Sequence, residues 1–344
     1  MNRPHPDRLL ALIDHFTGQE VLMVVDPVAD RFLHGTPKRI SREAPVLILH
    51  WEREAVAPGG GANAAANIRS LGGEPLPVGC IGDDASGAAL EEAFRARGIT
   101  TAGLVVRAGW PTPTKTRILA GYPSGIKQQI VRFDREEARA LSAGERGELA
   151  QKIEAFGGRA KVAILSDYGY GAVDPAAVPG VRRALGPGGT VLVDSRFRLS
   201  EFHDIDAATP NEEEAQALWG RPLEAAPGVD RAGEELRARL GARFLVVTRG
   251  SRGMVLFEQG GAAHVPVHGS SQVADVTGAG DTVIGTLSLA LAAGASPLEA
   301  TLLANYAGGV VVMKAGTATV SPGELRTAVE SDPTPVERTR WERS

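Results

Sequence analysis

With one cysteine in 344 residues, Cys80, the chain cannot close an internal disulfide, and a reducing cytoplasm is the compartment that fits. That cysteine lies in an apolar stretch, which argues against a catalytic thiol. Residues 1–16 lack the apolar core and the small-residue cleavage site of a secretory signal. No apolar run reaches membrane-spanning length without a glycine break or a charge, so a soluble protein with no membrane partner is expected. Charge of one sign is also missing: the net charge is −4 with both signs spread along the chain, and nothing marks a nucleic-acid surface. No G-x-G-x-x-G follows the first apolar strand, which disfavours a dehydrogenase, and no internal repeat is visible. Aromatics make up only 5% of the residues against 43% hydrophobic, with Ala and Gly abundant, a balance that suits one large α/β domain acting on small soluble ligands.

What is present centres on Asp275-Val276-Thr277-Gly278-Ala279-Gly280-Asp281-Thr282, followed by an apolar run over 283–292 without proline. Glycines at the mouth of a buried helix bring unpaired backbone N–H groups and the positive end of its dipole close to any anion, so the loop reads as a phosphate cradle. Asp281 is a carboxylate placed where the anion should bind. It is better suited to accepting a proton from an attacking hydroxyl than to adding affinity, although a helix cap with a tight glycine turn is the plainer alternative. A second glycine-rich stretch, Pro58-Gly59-Gly60-Gly61-Ala62-Asn63-Ala64-Ala65-Ala66-Asn67, lies upstream. Together, in this order, the two segments resemble the paired signatures of the ribokinase-like (PfkB) family of sugar kinases. The resemblance implies a three-layer α/β/α sandwich with a mostly parallel central sheet and a small β-sheet lid.

Along the chain, 8–16 reads as an amphipathic helix and 21–25 as a buried strand ended by Asp26. Ligands of α/β sheets bind beyond strand carboxyl ends, so Asp26 and Asp30 are candidates for sugar hydroxyls, with turn carboxylates capping Pro27 as the alternative. Two segments, about 35–57 and 112–133, contain strand-like runs with no adjoining helix, the latter with a turn over 121–125 and a further strand from Ile126 to Phe133. They read as the lid, excluding water from the reaction and offering an apolar face for a homodimer. Gly59 and Gly60 would bring backbone close to the sugar, and Asn63 is either a sugar contact or the cap of the helix it opens. Asp83-Asp84 precedes a helix over 85–97 and reads as its cap rather than a metal pair.

From residue 140 strands and helices alternate: helix 142–156, strand 161–166, helix 174–185, strand 190–194, helices 211–219 and 229–240, strand 244–248. This predicts a parallel sheet with helices on both faces and polar residues converging on one edge. His264 and His268 flank Val265-Pro266-Val267, an extended segment that does not place them on one metal. The tail 331–344 is expected to be surface-bound or frayed, leaving 1–20 as an N-terminal helix and 21–330 as the kinase domain.

The family resemblance also implies roles. Asp281 would be the base, with Gly278, Ala279 and Gly280 supplying amides to the transferred phosphoryl group. Asn211 and Glu214 match an N-x-x-E motif whose glutamate organises Mg²⁺, and on residues alone Glu212–Glu214 is an acidic first helical turn. Thr248, Gly250 and Gly253 match the nucleotide-side turn, while Asn305 and Ser321 match positions lining the adenine pocket of ATP, and a need for K⁺ is left open. Within the family the chain is most similar to heptose 7-phosphate kinase domains on the route to ADP-heptose, for example in Thr114-Lys115-Thr116-Arg117 and Leu165-Ser166-Asp167-Tyr168. Lys115, Arg117 and Arg132 are candidates for a phosphate already on the acceptor, or else a solvated lid face. The pattern departs from that subfamily at Val25, at Tyr170 where a lysine is usual, and at Asp194-Ser195-Arg196 where Asp-Pro-Lys is usual. The chain ends without the nucleotidyltransferase domain of some relatives, so a separate protein is expected for any adenylylation. Another sugar, sugar phosphate or nucleoside as acceptor, or a non-catalytic sugar- or nucleotide-binding protein, are the alternatives.

Overall fold

The computed structural model describes residues 4–122, 127–223, 228–269 and 274–342. Its strands are β1 (Glu20–Val25), β2 (Pro27–Ile40), β3 (Leu47–Gly60), β4 (Glu74–Gly82), β5 (Leu104–Arg107), β6 (Thr114–Ala120) and β7 (Gln128–Arg135). They continue with β8 (Val162–Asp167), β9 (Thr190–Ser195), β10 (Ala207–Ala208), β11 (Phe244–Thr248), β12 (Met254–Glu258), β13 (Gly261–Val265) and β14 (Arg340–Glu342). The helices are α1 (Pro6–Asp14), α2 (Gly61–Ser70), α3 (Ala85–Arg95), α4 (Ala143–Gly157), α5 (Val178–Leu185) and α6 (Glu212–Trp219). After these come α7 (Gly228–Arg239), α8 (Ala279–Ala292), α9 (Pro297–Val311), α10 (Pro322–Ser331) and α11 (Thr334–Arg338).

The large sheet runs β14-β13-β12-β11-β10-β9-β8-β1-β4-β5. β1 is an interior strand, third from the β5 edge and parallel to β4 on one side and β8 on the other, which is why Val21 to Val25 is an unbroken apolar run. Its side chains alternate between two cores: Val21, Met23 and Val25 face the layer of α1, α2, α8 and α9, while Leu22 and Val24 face the layer of α4, α5 and α7. Alternation of strand and helix stops at Gly250 and Gly253, whose positive φ angles turn the chain directly from β11 into antiparallel β12. Two further antiparallel strands follow, so that edge of the sheet is mixed. The C-terminal segment contributes α11 and then pairs β14 with β13, with Val336 buried.

Pro27 has no N–H to continue the β1 ladder, and from it the chain enters a second sheet of order β3-β2-β6-β7. This sheet occupies the segments read as the lid, but β2 begins earlier than expected and carries Asp30 within it. The turn over 121–125 lies largely outside the described residues, as does Ile126. Trp51, Ile130 and Phe133 are exposed on the small sheet. Cys80, on β4, is fully buried, and burial pushes its thiol up to about 12. Among the described residues no helix is long and apolar enough to cross a membrane.

Candidate active site

The carboxyl ends of β1, β8, β9, β10 and β11 open on one edge of the large sheet, where α8 also begins. A cavity of about 560 Å³ lies there, lined among others by Tyr168, Asp194, Arg196, Asn211, Glu214, Thr248 and Gly280. Gly278 precedes α8 with φ 77°, and a Cβ there would collide with the Asn63 carboxamide, so the close approach of α2 and α8 requires glycine. Ala64 to Ala66 on α2 and Gly285 on α8 keep the two helices close along their length. The Ala279 amide donates to the Val276 carbonyl at 3.2 Å, which removes it from the expected set of phosphate donors. Gly280 and Asp281 occupy the next two positions of the helix, where the amides have no partner in the preceding turn. An added Cβ on Gly280 would meet nothing within 4 Å, so an anion can approach this backbone from the cavity.

Asp281 is 3% exposed. Its Oδ1 accepts from the Tyr168 hydroxyl at 2.6 Å and its Oδ2 from Asn63 Nδ2 at 3.0 Å. Burial raises its pKa to about 6, opposed by those two hydrogen bonds. Asn63 is therefore neither a helix cap nor a free sugar ligand. α2 is capped at Gly60, and the second Asn63 contact is to the Gly278 carbonyl at 3.4 Å.

Asp26 also differs from its expected part. It is 1% exposed and accepts three backbone N–H bonds, from Tyr168 and Tyr170 at 3.0 Å and from Ala172 at 2.9 Å. Gly169 and Gly171, with φ of 81° and 100°, let these alternate amides face one carboxylate. Burial still dominates and lifts Asp26 to about 6. Both of its oxygens hold the loop after β8.

The acceptor side is built from the small sheet. Asp30 Oδ1 accepts from Arg117 Nη1 at 2.6 Å, and burial raises the Asp30 pKa against the pull of that guanidinium. Gly59 stands across from this pair, and a Cβ there would lie 2.6 Å from the Asp30 carboxyl carbon. Gly60, φ 54°, abuts Val28 and the Tyr168 ring. Arg132 lies opposite Arg117 in the β6–β7 ladder and is paired with Asp134. Lys115 rests its ammonium 5.4 Å from the Tyr168 ring centroid and forms no ion pair among the described residues. Burial and the neighbouring Arg132 lower its pKa.

Asn211 and Glu214, which line the cavity where the small-sheet residues do not, form a reciprocal capping box at the start of α6, each side chain accepting from the other's backbone N–H at 2.9 Å. Burial raises Glu214, and Asp194 is raised by burial and then by the Glu214 charge across from it. Thr248 lines the cavity, and Gly250 and Gly253 form the turn just beyond it. Asn305 donates to the Pro266 carbonyl at 2.9 Å, and Ser321 caps α10 against Glu324. Neither is among the residues lining the cavity. Likewise Asp84 caps α3 at 2.9 Å and accepts from Thr112, in keeping with a cap. His264 and His268 contact Asp230 and Asp332 respectively, each at 2.8 Å, on separate partners. Tyr168, Asp194 and Arg196 were not assigned roles from sequence, although all three stand at strand ends, the signal that singled out Asp26.

The family model described as pfkB family carbohydrate kinase matches residues 22–323. Among curated proteins, the bifunctional protein HldE of Mesorhizobium japonicum is 40% identical over 330 residues, covering 95% of this chain and 65% of the relative. The bifunctional protein HldE of Pelobacter propionicus is 38% identical over 311 residues, covering 90% of this chain and 62% of that protein. The chain thus spans less than two thirds of the length of these relatives. Among solved structures, phosphofructokinase-2 from Escherichia coli in complex with substrates and products superposes with a TM-score of 0.74 at 22% identity, covering 91% of this chain and 99% of that one. Arabidopsis thaliana ribokinase complexed with ribose and ATP gives a TM-score of 0.70 at 21% identity, with the same coverage. These likenesses establish the ribokinase-like α/β fold. The chain belongs to the pfkB family of carbohydrate kinases, phosphotransferases with an alcohol group as acceptor.

Proposed function

We propose that this protein transfers the γ-phosphoryl group of ATP to a hydroxyl of a sugar phosphate, with heptose 7-phosphate as the acceptor and heptose 1,7-bisphosphate as the product. The observation that carries the reading is Asp281: a buried carboxylate at the mouth of α8, oriented by two donors, next to the cavity-lining Gly280 and under the influence of the Lys115 ammonium. Asp281 takes the proton of the attacking hydroxyl, and the amides of Gly280 and Asp281 face the charge that develops on the phosphoryl oxygens. The Asp30–Arg117 pair positions the acceptor, and Lys115, which forms no ion pair among the described residues, favours an acceptor that is itself anionic. Mg²⁺, when bound, neutralises phosphate charge, and Glu214 is the carboxylate placed to organise it. Tyr170 and Arg196, at positions where cations of the resembled subfamily differ, favour a second reading in which the chemistry is unchanged and another sugar phosphate is the acceptor. The exposed apolar residues of the small sheet support a homodimer through the lid.

The test is ADP release from Mg·ATP against heptose 7-phosphate, hexose phosphates, free sugars and nucleosides. Turnover on heptose 7-phosphate alone is expected, with Asp281→Asn folded, still binding ATP and slower by a factor on the order of 10² or more. Turnover confined to another acceptor transfers the reading to that substrate. Near-normal rates in Asp281→Asn remove the base from its role.

A further inference from the structure

Asp281 is held by groups from two separate parts of the fold. Asn63 reaches it from α2 and Tyr168 from the loop after β8, one donor to each carboxylate oxygen. The tyrosine is itself fixed at several points. Its backbone N–H is bonded to Asp26, its ring lies against the Lys115 ammonium, and the backbone at Gly60 packs close to the same ring. The loop that carries it is drawn together by three amides on one buried carboxylate, an arrangement that needs the left-handed backbone at Gly169 and Gly171. So much organisation behind one hydroxyl exceeds what closing a surface loop requires.

We infer that Tyr168 is a positioning residue for the general base: its hydroxyl and the Asn63 carboxamide form a two-donor clamp that keeps the Asp281 carboxylate oriented and ionised, with Asp26 bracing the clamp from behind. The inference rests on the reading of Asp281 as the base and adds the means by which a carboxylate in so dry a site remains able to accept a proton. Hydrogen bonds donated to a carboxylate favour its charged form, whereas burial favours the neutral one. The charged groups that face Asp281 from other elements are Asp30 on β2, which opposes ionisation, and Lys115 on β6, which favours it. Asp194 on β9 couples to Asp281 with the sign of Asp30, and Arg196 acts on the Tyr168 hydroxyl with the opposite sign. None of these supplies a hydrogen bond to Asp281, so the clamp alone fixes its orientation among the described residues.

Tyr168→Phe keeps the ring and deletes the donor, which separates the clamp from packing. The 344-residue chain is labelled with ¹³Cγ aspartate and titrated by NMR in wild type, Tyr168→Phe and Asn63→Ala, with the Asp281 signal assigned by its loss in Asp281→Asn. The Asp281 midpoint is expected to rise by about one pH unit when either donor is removed. In parallel, the acidic limb of kcat/KM moves up by the same amount in Tyr168→Phe, so that its loss of rate at pH 6 is about fivefold deeper than at pH 8.5. A purely structural role would lower the rate equally at every pH. An Asp281 midpoint that stays put in both variants overturns the clamp. Wild-type protein that phosphorylates no acceptor overturns the kinase reading instead, and the titration still decides the clamp.

Discussion

Gly59 sits where one methyl group would reach a charged pair. A Cβ placed 2.6 Å from the Asp30 carboxyl carbon must push that carboxylate away from Arg117, since both are buried and have little room to move. Gly59→Ala is therefore expected to raise KM for the acceptor at least about tenfold with KM for ATP within about twofold, because a lost charge-assisted bond is worth ~1.5–3 kcal/mol. Steady-state kinetics with each substrate varied in turn makes the comparison, and an unchanged acceptor KM would remove the pair from acceptor binding. Single residues were legible in the sequence where a local pattern carried the chemistry. The position of Asp281 at the mouth of α8 followed from a glycine-rich helix start, and the cap at Asp84 from its place ahead of α3. Asn63 was not, because its partner Asp281 lies 218 residues away and no local spacing encodes that contact. Asp26 misled for a related reason: a carboxylate at a strand end looks alike whether it faces a ligand or three backbone amides of a loop.

At the scale of elements, α6 shows how one short helix can serve two purposes. Asn211 and Glu214 close its first turn reciprocally, and the same two side chains line the cavity. Asn211→Ala removes one arm of the box and is expected to cost about 1 kcal/mol of stability, measured by chemical denaturation. If Glu214 also organises the metal, the variant needs more Mg²⁺ for half-maximal rate, since the glutamate loses the contact that orients it. Loss of stability with an unchanged Mg²⁺ requirement would leave the box purely structural. The regular elements were well legible: β11 falls on 244–248 as read, and α4, α7 and β8 lie within one residue of their expected ends. Periodicity and caps are local signals, and these elements follow them. The two-residue β10 was not, because two residues cannot show a period, and neither were β12 and β13, which follow β11 as antiparallel strands without the intervening helix that marks the rest of the alternation. The small sheet begins at Pro27 rather than near residue 35, because Pro27 marks a change of sheet rather than the start of a loop.

For the molecule as a whole, the small sheet leaves apolar side chains exposed, with Trp51 at 65% and Phe133 at 54%. Burying such residues against a second copy would cover the face and stiffen the lid over the acceptor. Wild-type protein is expected to sediment as a dimer, and Trp51→Glu combined with Phe133→Glu as a monomer with a raised acceptor KM. A monomeric wild type at micromolar concentration would overturn the lid interface. Cys80 adds a practical consequence to this picture. The only thiol of the chain is fully buried on β4 and is held protonated far above neutral pH, so maleimide reagents should pass it by in the folded protein. A cysteine introduced at an exposed site on the small sheet would then be the sole reactive handle. One dye attached there would report whether the small sheet moves during turnover, without prior removal of any native residue.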